Sequence, residues 1–143
     1  AVDTMKITLG DRANYFWPVK SLTEAGALVF YGSDWPAVVP DTNPWPGIEA
    51  MVSREDPYGK NPGKYWPEQA VDLKTALRIF TINGAVAGKQ EKTTGSLEAG
   101  KRADFIILAS NIFEIPTAAL SDVQVLQTFV DGEAVFQRVS AGE

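Results

Sequence analysis

Neither histidine nor cysteine occurs anywhere in the 143 residues. Without thiols the chain forms no disulfide, no thiolate metal site and no cysteine nucleophile. Without imidazole it cannot complete a hydrolytic zinc site by itself, because such sites take three protein ligands, mostly histidine, and only carboxylates and amides are on offer. Basic residues are few as well, 13 against 18 acidic for a formal net charge of -5, and they form no stripe able to neutralise phosphates. Nucleic acid is therefore not an expected partner. The longest apolar runs, Ala27 to Tyr31 and Phe105 to Ala109, fall far short of the ~20 residues that cross a bilayer, which removes the membrane from the expected partners. There is no Asn-x-Ser/Thr site, and the opening Ala1-Val2-Asp3-Thr4-Met5-Lys6 has neither an initiator methionine nor the form of a signal peptide. The expectation is a segment that begins inside a longer protein. Compartment stays open, with the cytoplasm favoured over the periplasm.

What is present is the composition of a folded protein: 45% hydrophobic and 22% charged residues, with four Trp, seven Phe and four Tyr. A chain of this length buries roughly 70% of its extended surface on folding, enough for one core.

The patterning changes character along the chain. Asp11 to Ala25 reads as helix, with Pro18 suited to a first turn, Ser21 and Glu24 spaced as a capping box, and Gly26 as the stop. Ala27 to Tyr31 follows as an unbroken apolar run between Gly26 and Gly32, the form of a parallel strand buried on both faces. Prolines 36, 40, 44 and 46 then predict a stiff loop, with Asn43-Pro44 opening a helix whose apolar face is Ile48, Met51 and Val52. Ser53 to Pro67 reads as a second long loop. Asp72 is placed to cap a helix carrying Leu73, Ala76, Leu77 and Phe80, ending near Gly84, and Ala85 to Gly88 suggests a short helix turned off it. Beyond about residue 95 the pattern becomes β: Asp104 to Leu108, Val123 to Val130 and Glu133 to Gln137, the last two joined by Asp131-Gly132, a strong hairpin signal.

Asp34 follows the apolar run, where α/β folds place ligand and catalytic groups, yet its spacing fits a turn-capping role equally well. Gly95 to Lys101 matches the G-x-x-x-x-G-K pattern of a phosphate loop, but Arg102 stands where the magnesium-holding hydroxyl belongs and a strand follows, so a turn with a solvated Lys101 is expected. Tyr15, Phe16, Trp17, Trp35, Trp45, Tyr65 and Trp66 gather around the two loops, as packing or as the walls of a pocket for an apolar substrate, with Trp35 and Trp45 as candidate substrate-binding residues. Glu55 and Asp56, between Arg54 and Pro57, read as a solvated patch rather than an acid/base pair.

Leu22 to Ala27, Gly32-Ser33-Asp34-Trp35-Pro36, Ala76-Leu77 with Phe80 to Ala85, and Gly95 to Phe105 together carry a resemblance over about residues 12 to 137. They resemble the C-terminal part of the amidohydrolase superfamily, and more narrowly the amidohydrolase family 3 branch that includes N-substituted formamide deformylases. The resemblance implies an α/β fold class: the C-terminal part of a (β/α)8 (TIM) barrel over residues 1–94, with Ala27 to Tyr31 as its eighth strand, and C-terminal strands of a composite β-sandwich over residues 95–143. It further implies a divalent metal, zinc by expectation, and gives Asp34 the role of the aspartate that touches the metal, takes a proton from its water and passes it to the leaving amine. The family's histidines lie upstream of the matched region, so the chain alone is expected to be inactive.

The function implied for the parent protein is hydrolysis of carbon-nitrogen bonds in a small amide, formamide or cyclic amide. The alternative is a non-catalytic interaction or regulatory module derived from that fold. An isolated barrel strand leaves backbone groups and apolar faces without partners, so a homo-oligomer is expected.

Overall fold

Residues 2–139 are described in a computed structural model of the chain, and they divide into a helical part and a small sheet. Helix α1 spans Val2–Leu9, continues as a 3-10 helix over Gly10–Tyr15 and breaks before α2, Val19–Glu24. The single helix expected over residues 11 to 25 is thus interrupted, and the reason is Pro18, whose ring disfavours helical backbone at the residue before it. Trp17 sits there at φ 50°. Nor do Ser21 and Glu24 form a capping box. Helix α2 starts after Pro18 with no side-chain cap, while Ser21 faces Gln69, its N–H donating to Oε1 at 3.1 Å and its Oγ accepting from Nε2 at 2.8 Å.

The expected strand over Ala27 to Tyr31 has no regular secondary structure and belongs to no sheet among the described residues, and Leu28 and Phe30 are 48% and 56% exposed rather than buried on both faces. A strand is stabilised by its neighbours, and no described segment lies alongside to pair with this one. Its backbone finds other partners. The Val29 carbonyl accepts from Asn83 Nδ2 at 2.7 Å, and the Tyr31 N–H donates to the Ile79 carbonyl at 3.3 Å.

Helix α3, Trp45–Ser53, begins after Pro44 as the Asn-Pro pair foretells. Helix α4, Leu73–Phe80, is capped as its sequence requires, Asp72 Oδ1 accepting the Thr75 N–H at 2.7 Å. It turns at Thr81 into α5, Ile82–Ala87. The second helix therefore starts earlier than expected, and Gly84 lies inside it instead of ending its predecessor. Trp45, Ile48, Val71, Ala76, Ile112 and Leu120 form the buried core, so helices on one side of residue 95 share it with loops on the other.

Strands β1 (Phe105–Leu108), β2 (Val125–Val130) and β3 (Glu133–Gln137) form one antiparallel sheet in that order. Phe105 and Phe129 are cross-strand partners whose rings stack at 4.5 Å. Asp131 and Gly132 have φ of 54° and 84°, the two left-handed residues a tight hairpin turn needs. A sandwich requires a second sheet, and the described residues form one: Val135, Phe136, Ile106 and Ile107 stay 41% to 60% exposed. Ahead of this sheet, Gly95 and Gly100 take the positive φ expected of the turn, at 88° and 90°. Lys101 is not solvated as expected. Its Nζ lies 2.6 Å from Ser96 Oγ and 3.2 Å from Glu98 Oε1, and its side chain is 12% exposed, because the turn folds both partners over it.

Two glycines separate backbone need from helix propensity. A Cβ on Gly95 would lie 2.6 Å from the Ala85 Cβ and 3.1 Å from the Ile82 Cα, at a φ of 88°. Gly95→Ala is expected to cost about 3 kcal/mol through crowding and backbone strain. Gly84→Ala meets nothing within 4 Å and is expected to add about 0.5–1 kcal/mol, so urea denaturation of the two variants should move in opposite directions.

Hydrogen bonds from the Thr75 backbone and side chain, then the nearby Lys74 charge, hold the Asp72 carboxyl below its ordinary pKa against a small opposing effect of burial. A carboxyl lowered in the folded state contributes stability above its unfolded pKa, near 3.9, and loses it as pH falls through the folded value. Asp72→Ala should therefore cost about 1 kcal/mol at pH 7, with the gap from wild type narrowing below about pH 4 in melting experiments.

Candidate functional site

The segment that carries Asp34 is anchored from below before it reaches the site. The Tyr31 ring stacks on Phe80 of α4 at 3.9 Å between centroids, and Gly47 of α3 packs so closely that an added Cβ would come within 2.9 Å of the Phe80 ring and of the Tyr31 hydroxyl. Burial, and then the Tyr58 charge, raise the Tyr31 phenol pKa. Past Gly32 the backbone turns sharply. Asp34 has φ 55°, its carbonyl accepts the Ala37 and Val38 N–H groups at 2.8 and 3.2 Å, and the following Trp35–Pro36 peptide is cis. Asp34 is exposed, and no described residue donates a hydrogen bond to its carboxylate. The turn-capping role open to it in the sequence thus falls to its backbone, leaving the side chain unused.

The two tryptophans proposed beside it part company. Trp35 is 53% exposed next to Asp34. Trp45 is 4% exposed, its backbone N–H held by Asn43 Oδ1 at 3.1 Å and its ring inside the core. Trp45 is corrected from substrate wall to core residue, because the α3 face that bears it is the one covered by Leu120 and Ile112. Its indole Nε1 has no hydrogen-bond partner among the described residues.

The remaining aromatics do converge, but elsewhere. Phe16 and Trp17 pack on Trp66, each at 6.1 Å, and Tyr65 lies beside it at 6.3 Å. A cavity of about 300 Å³ opens there, lined by Lys6, Asn14, Lys64, Tyr65, Trp66 and Glu68 among others, and Asp34, Trp35 and Trp45 are not part of its lining. The loop from 54 to 65 that supports this wall is clasped at its neck. Tyr65 N–H donates to the Arg54 carbonyl at 2.8 Å, and Arg54 Nε donates to the Tyr65 carbonyl at 2.9 Å. Arg54 is 9% exposed and left-handed at φ 61°, and burial lowers its pKa against the pull of Glu68. Nothing in the sequence singled it out, since a buried arginine and an exposed one look alike in a polar loop. Glu55 is exposed beside Lys64 at 3.7 Å, whereas Asp56 organises its own turn by accepting from the Tyr58 and Asn61 N–H groups at 2.9 and 3.0 Å.

Among the described residues no three of histidine, cysteine, aspartate and glutamate stand together. Asp34 fits one position in the coordination shell of a divalent cation, and the residues present do not fit a whole site. Among the described residues no helix is long and apolar enough to cross a membrane.

Residues 5–136 match the family described as Amidohydrolase family. An N-substituted formamide deformylase of Arthrobacter pascens is 35% identical over 125 residues, which cover 87% of this chain and 22% of that protein. Protein LONG AFTER FAR-RED 3 of Arabidopsis thaliana is 36% identical over 117 residues, covering 82% of this chain and 19% of that one. The solved structure of an amidohydrolase from Thermotoga maritima aligns with a TM-score of 0.62 at 22% identity, over 84% of this chain and 26% of that chain, a likeness of fold. The chain spans about a fifth of the length of the curated relatives it matches, and it has the fold of one part of such a structure.

The placement of the two tryptophans has a direct readout. Trp45→Ala should destabilise the chain by about 3–5 kcal/mol and Trp35→Ala by no more than about 0.5 kcal/mol in denaturant titrations. Equal losses would refute the assignment of Trp45 to the core.

Proposed function

We infer function from one premise: the chain belongs to the amidohydrolase family. The protein of which it forms the C-terminal portion is a metal-dependent hydrolase of carbon-nitrogen bonds in small amides, formamides or cyclic amides. Residues 1–94 close its barrel, with Ala27 to Tyr31 as a barrel strand, and residues 95–143 supply strands to a sandwich whose other sheet comes from elsewhere in that protein. The observation that carries the reading is Asp34: an exposed carboxylate with no hydrogen-bond donor among the described residues, at the end of an apolar segment, in a chain matching the family over residues 5–136.

In this reading a carboxylate oxygen of Asp34 takes a proton from the attacking water as its oxygen bonds to the amide carbon. Asp34 then returns the proton to nitrogen as the C–N bond breaks, acting first as base and then as acid. Trp35, exposed beside it, offers an apolar surface to the substituent on the amide. A divalent metal, zinc by preference, would be held in part by Asp34 and would supply Lewis-acid polarisation of the water and the amide carbonyl when bound. Its remaining ligands lie outside this chain, which is inactive alone. The bare faces at Leu28, Phe30, Val135 and Phe136 would drive the isolated chain to associate with copies of itself.

In the full-length, metal-loaded protein, Asp34→Asn should lower kcat on formamides at least 100-fold while leaving the circular dichroism unchanged. Wild-type turnover in that variant would sink the assignment of Asp34. Turnover by the isolated 143-residue chain with added zinc would sink the claim that it lacks a complete site.

A further inference from the structure

We propose that Ser33 is a positioning residue for Asp34, holding its backbone left-handed so that the carboxylate meets the reacting centre at one fixed angle. The proposal rests on the role given to Asp34 above.

Ser33 Oγ accepts the Trp35 N–H at 3.2 Å, a bond that bridges directly over Asp34. The Asp34 carbonyl is tied on the other side by Ala37 and Val38. Aspartate tolerates positive φ when its short side chain bonds to nearby backbone. Here no described backbone N–H reaches that side chain, and the neighbouring hydroxyl supplies the local bond in its place. The backbone is thereby held in an unfavourable conformation by groups other than the one that does chemistry, and the carboxylate stays available.

The same device occurs a second time in this chain. Ser53 Oγ accepts the Glu55 N–H at 3.0 Å, and Arg54 between them is left-handed at φ 61°. Turns headed by Asp41, Asn43, Asp56 and Asn111 make the same bond to the residue two places on, at 2.9 to 3.1 Å. The residues they enclose, Thr42, Pro44, Pro57 and Ile112, are not among those with positive φ. Both serine-headed turns thus enclose a left-handed residue and the four aspartate- or asparagine-headed turns do not. Reversing φ at Asp34 would swing its Cα–Cβ bond, and a displacement of about 1 Å at a reacting group can cost on the order of 100-fold in rate.

The test uses the full-length, metal-loaded protein with a formamide substrate, and compares Ser33→Ala, Ser33→Thr and Asp34→Asn. Ser33→Ala should lower kcat about 10- to 100-fold with KM within about twofold of wild type, and Ser33→Thr should restore most of it. Hydrogen exchange at the Trp35 amide should be faster in Ser33→Ala and normal in Ser33→Thr, at unchanged melting temperature. Wild-type kcat in Ser33→Ala, a loss that threonine does not restore, unchanged Trp35 exchange, or a loss explained by a lower melting temperature would each overturn the proposal. A fully active Asp34→Asn removes the assignment of Asp34 itself, whereas an inactive Asp34→Asn beside a fully active Ser33→Ala removes only the role of Ser33.

Discussion

The packing of α3 against the loop that ends in Leu120 is the contact on which the rest of this chain depends. Trp45 and Ile48 are 4% and 3% exposed, Leu120 is 1% exposed, and Glu49 from the same helix accepts the Ser121 N–H at 2.8 Å. A buried carboxylate on a helix is tolerated only where a donor meets it, and here that donor comes from 72 residues further along the chain. Apolar burial and this one directed bond therefore fix the helical part and the sheet part in a single arrangement. The same helix determines both loops of interest. Its first turn ends the proline-rich segment that starts at Asp34, its Gly47 admits the Tyr31 ring, and its last residue hands the chain to Arg54.

How much of this could be read beforehand follows from whether each element answers to local or distant causes. The Asp72 cap, the hairpin at Asp131-Gly132 and the start of α3 after Asn43-Pro44 are set by residues within a few positions, and each stands where its signal lies. The break at Phe16 to Pro18 is also local, since the ring that suits Pro18 to a first turn also disfavours helical backbone at Trp17. Lys101 and Trp45 depend on what folds over them. A lysine in a glycine turn is ordinarily solvated, and the closure of Ser96 and Glu98 onto it leaves its side chain largely covered. A tryptophan beside a loop lines a pocket or fills a core according to which helix face is covered, which local pattern does not encode.

The site was legible in part for the same reason. Asp34 is singled out by its place after an apolar run, a signal of chain order. Its left-handed backbone was not foreseeable, because nothing in Gly32-Ser33-Asp34-Trp35 requires positive φ at the aspartate rather than at the glycine. Trp17, Arg54 and Trp66 share this feature, and all four fall in the loops between α1 and α4. Bulky residues at positive φ are held only where surrounding contacts outweigh the strain. Arg54 has its reciprocal bonds to Tyr65, and Trp66 and Trp17 have each other's rings.

Exposure along Ala27 to Asp34 can be understood from backbone accounting. Five consecutive apolar residues outside any helix or sheet carry more amide and carbonyl groups than Asn83 and the Leu22 and Ile79 carbonyls can satisfy, and their side chains at Leu28 and Phe30 remain about half open. An element of that kind is stable when strands lie on both sides of it, each closing a row of hydrogen bonds and covering apolar area. In the proposed parent protein, those strands would also carry the remaining ligands of the site. The requirement that completes the fold and the requirement that completes the chemistry would then be met by the same missing neighbours. That links the bare edges of this segment to the inactivity proposed for the chain: a lone carboxylate at the end of such a segment would have neither the scaffold nor the partners to act.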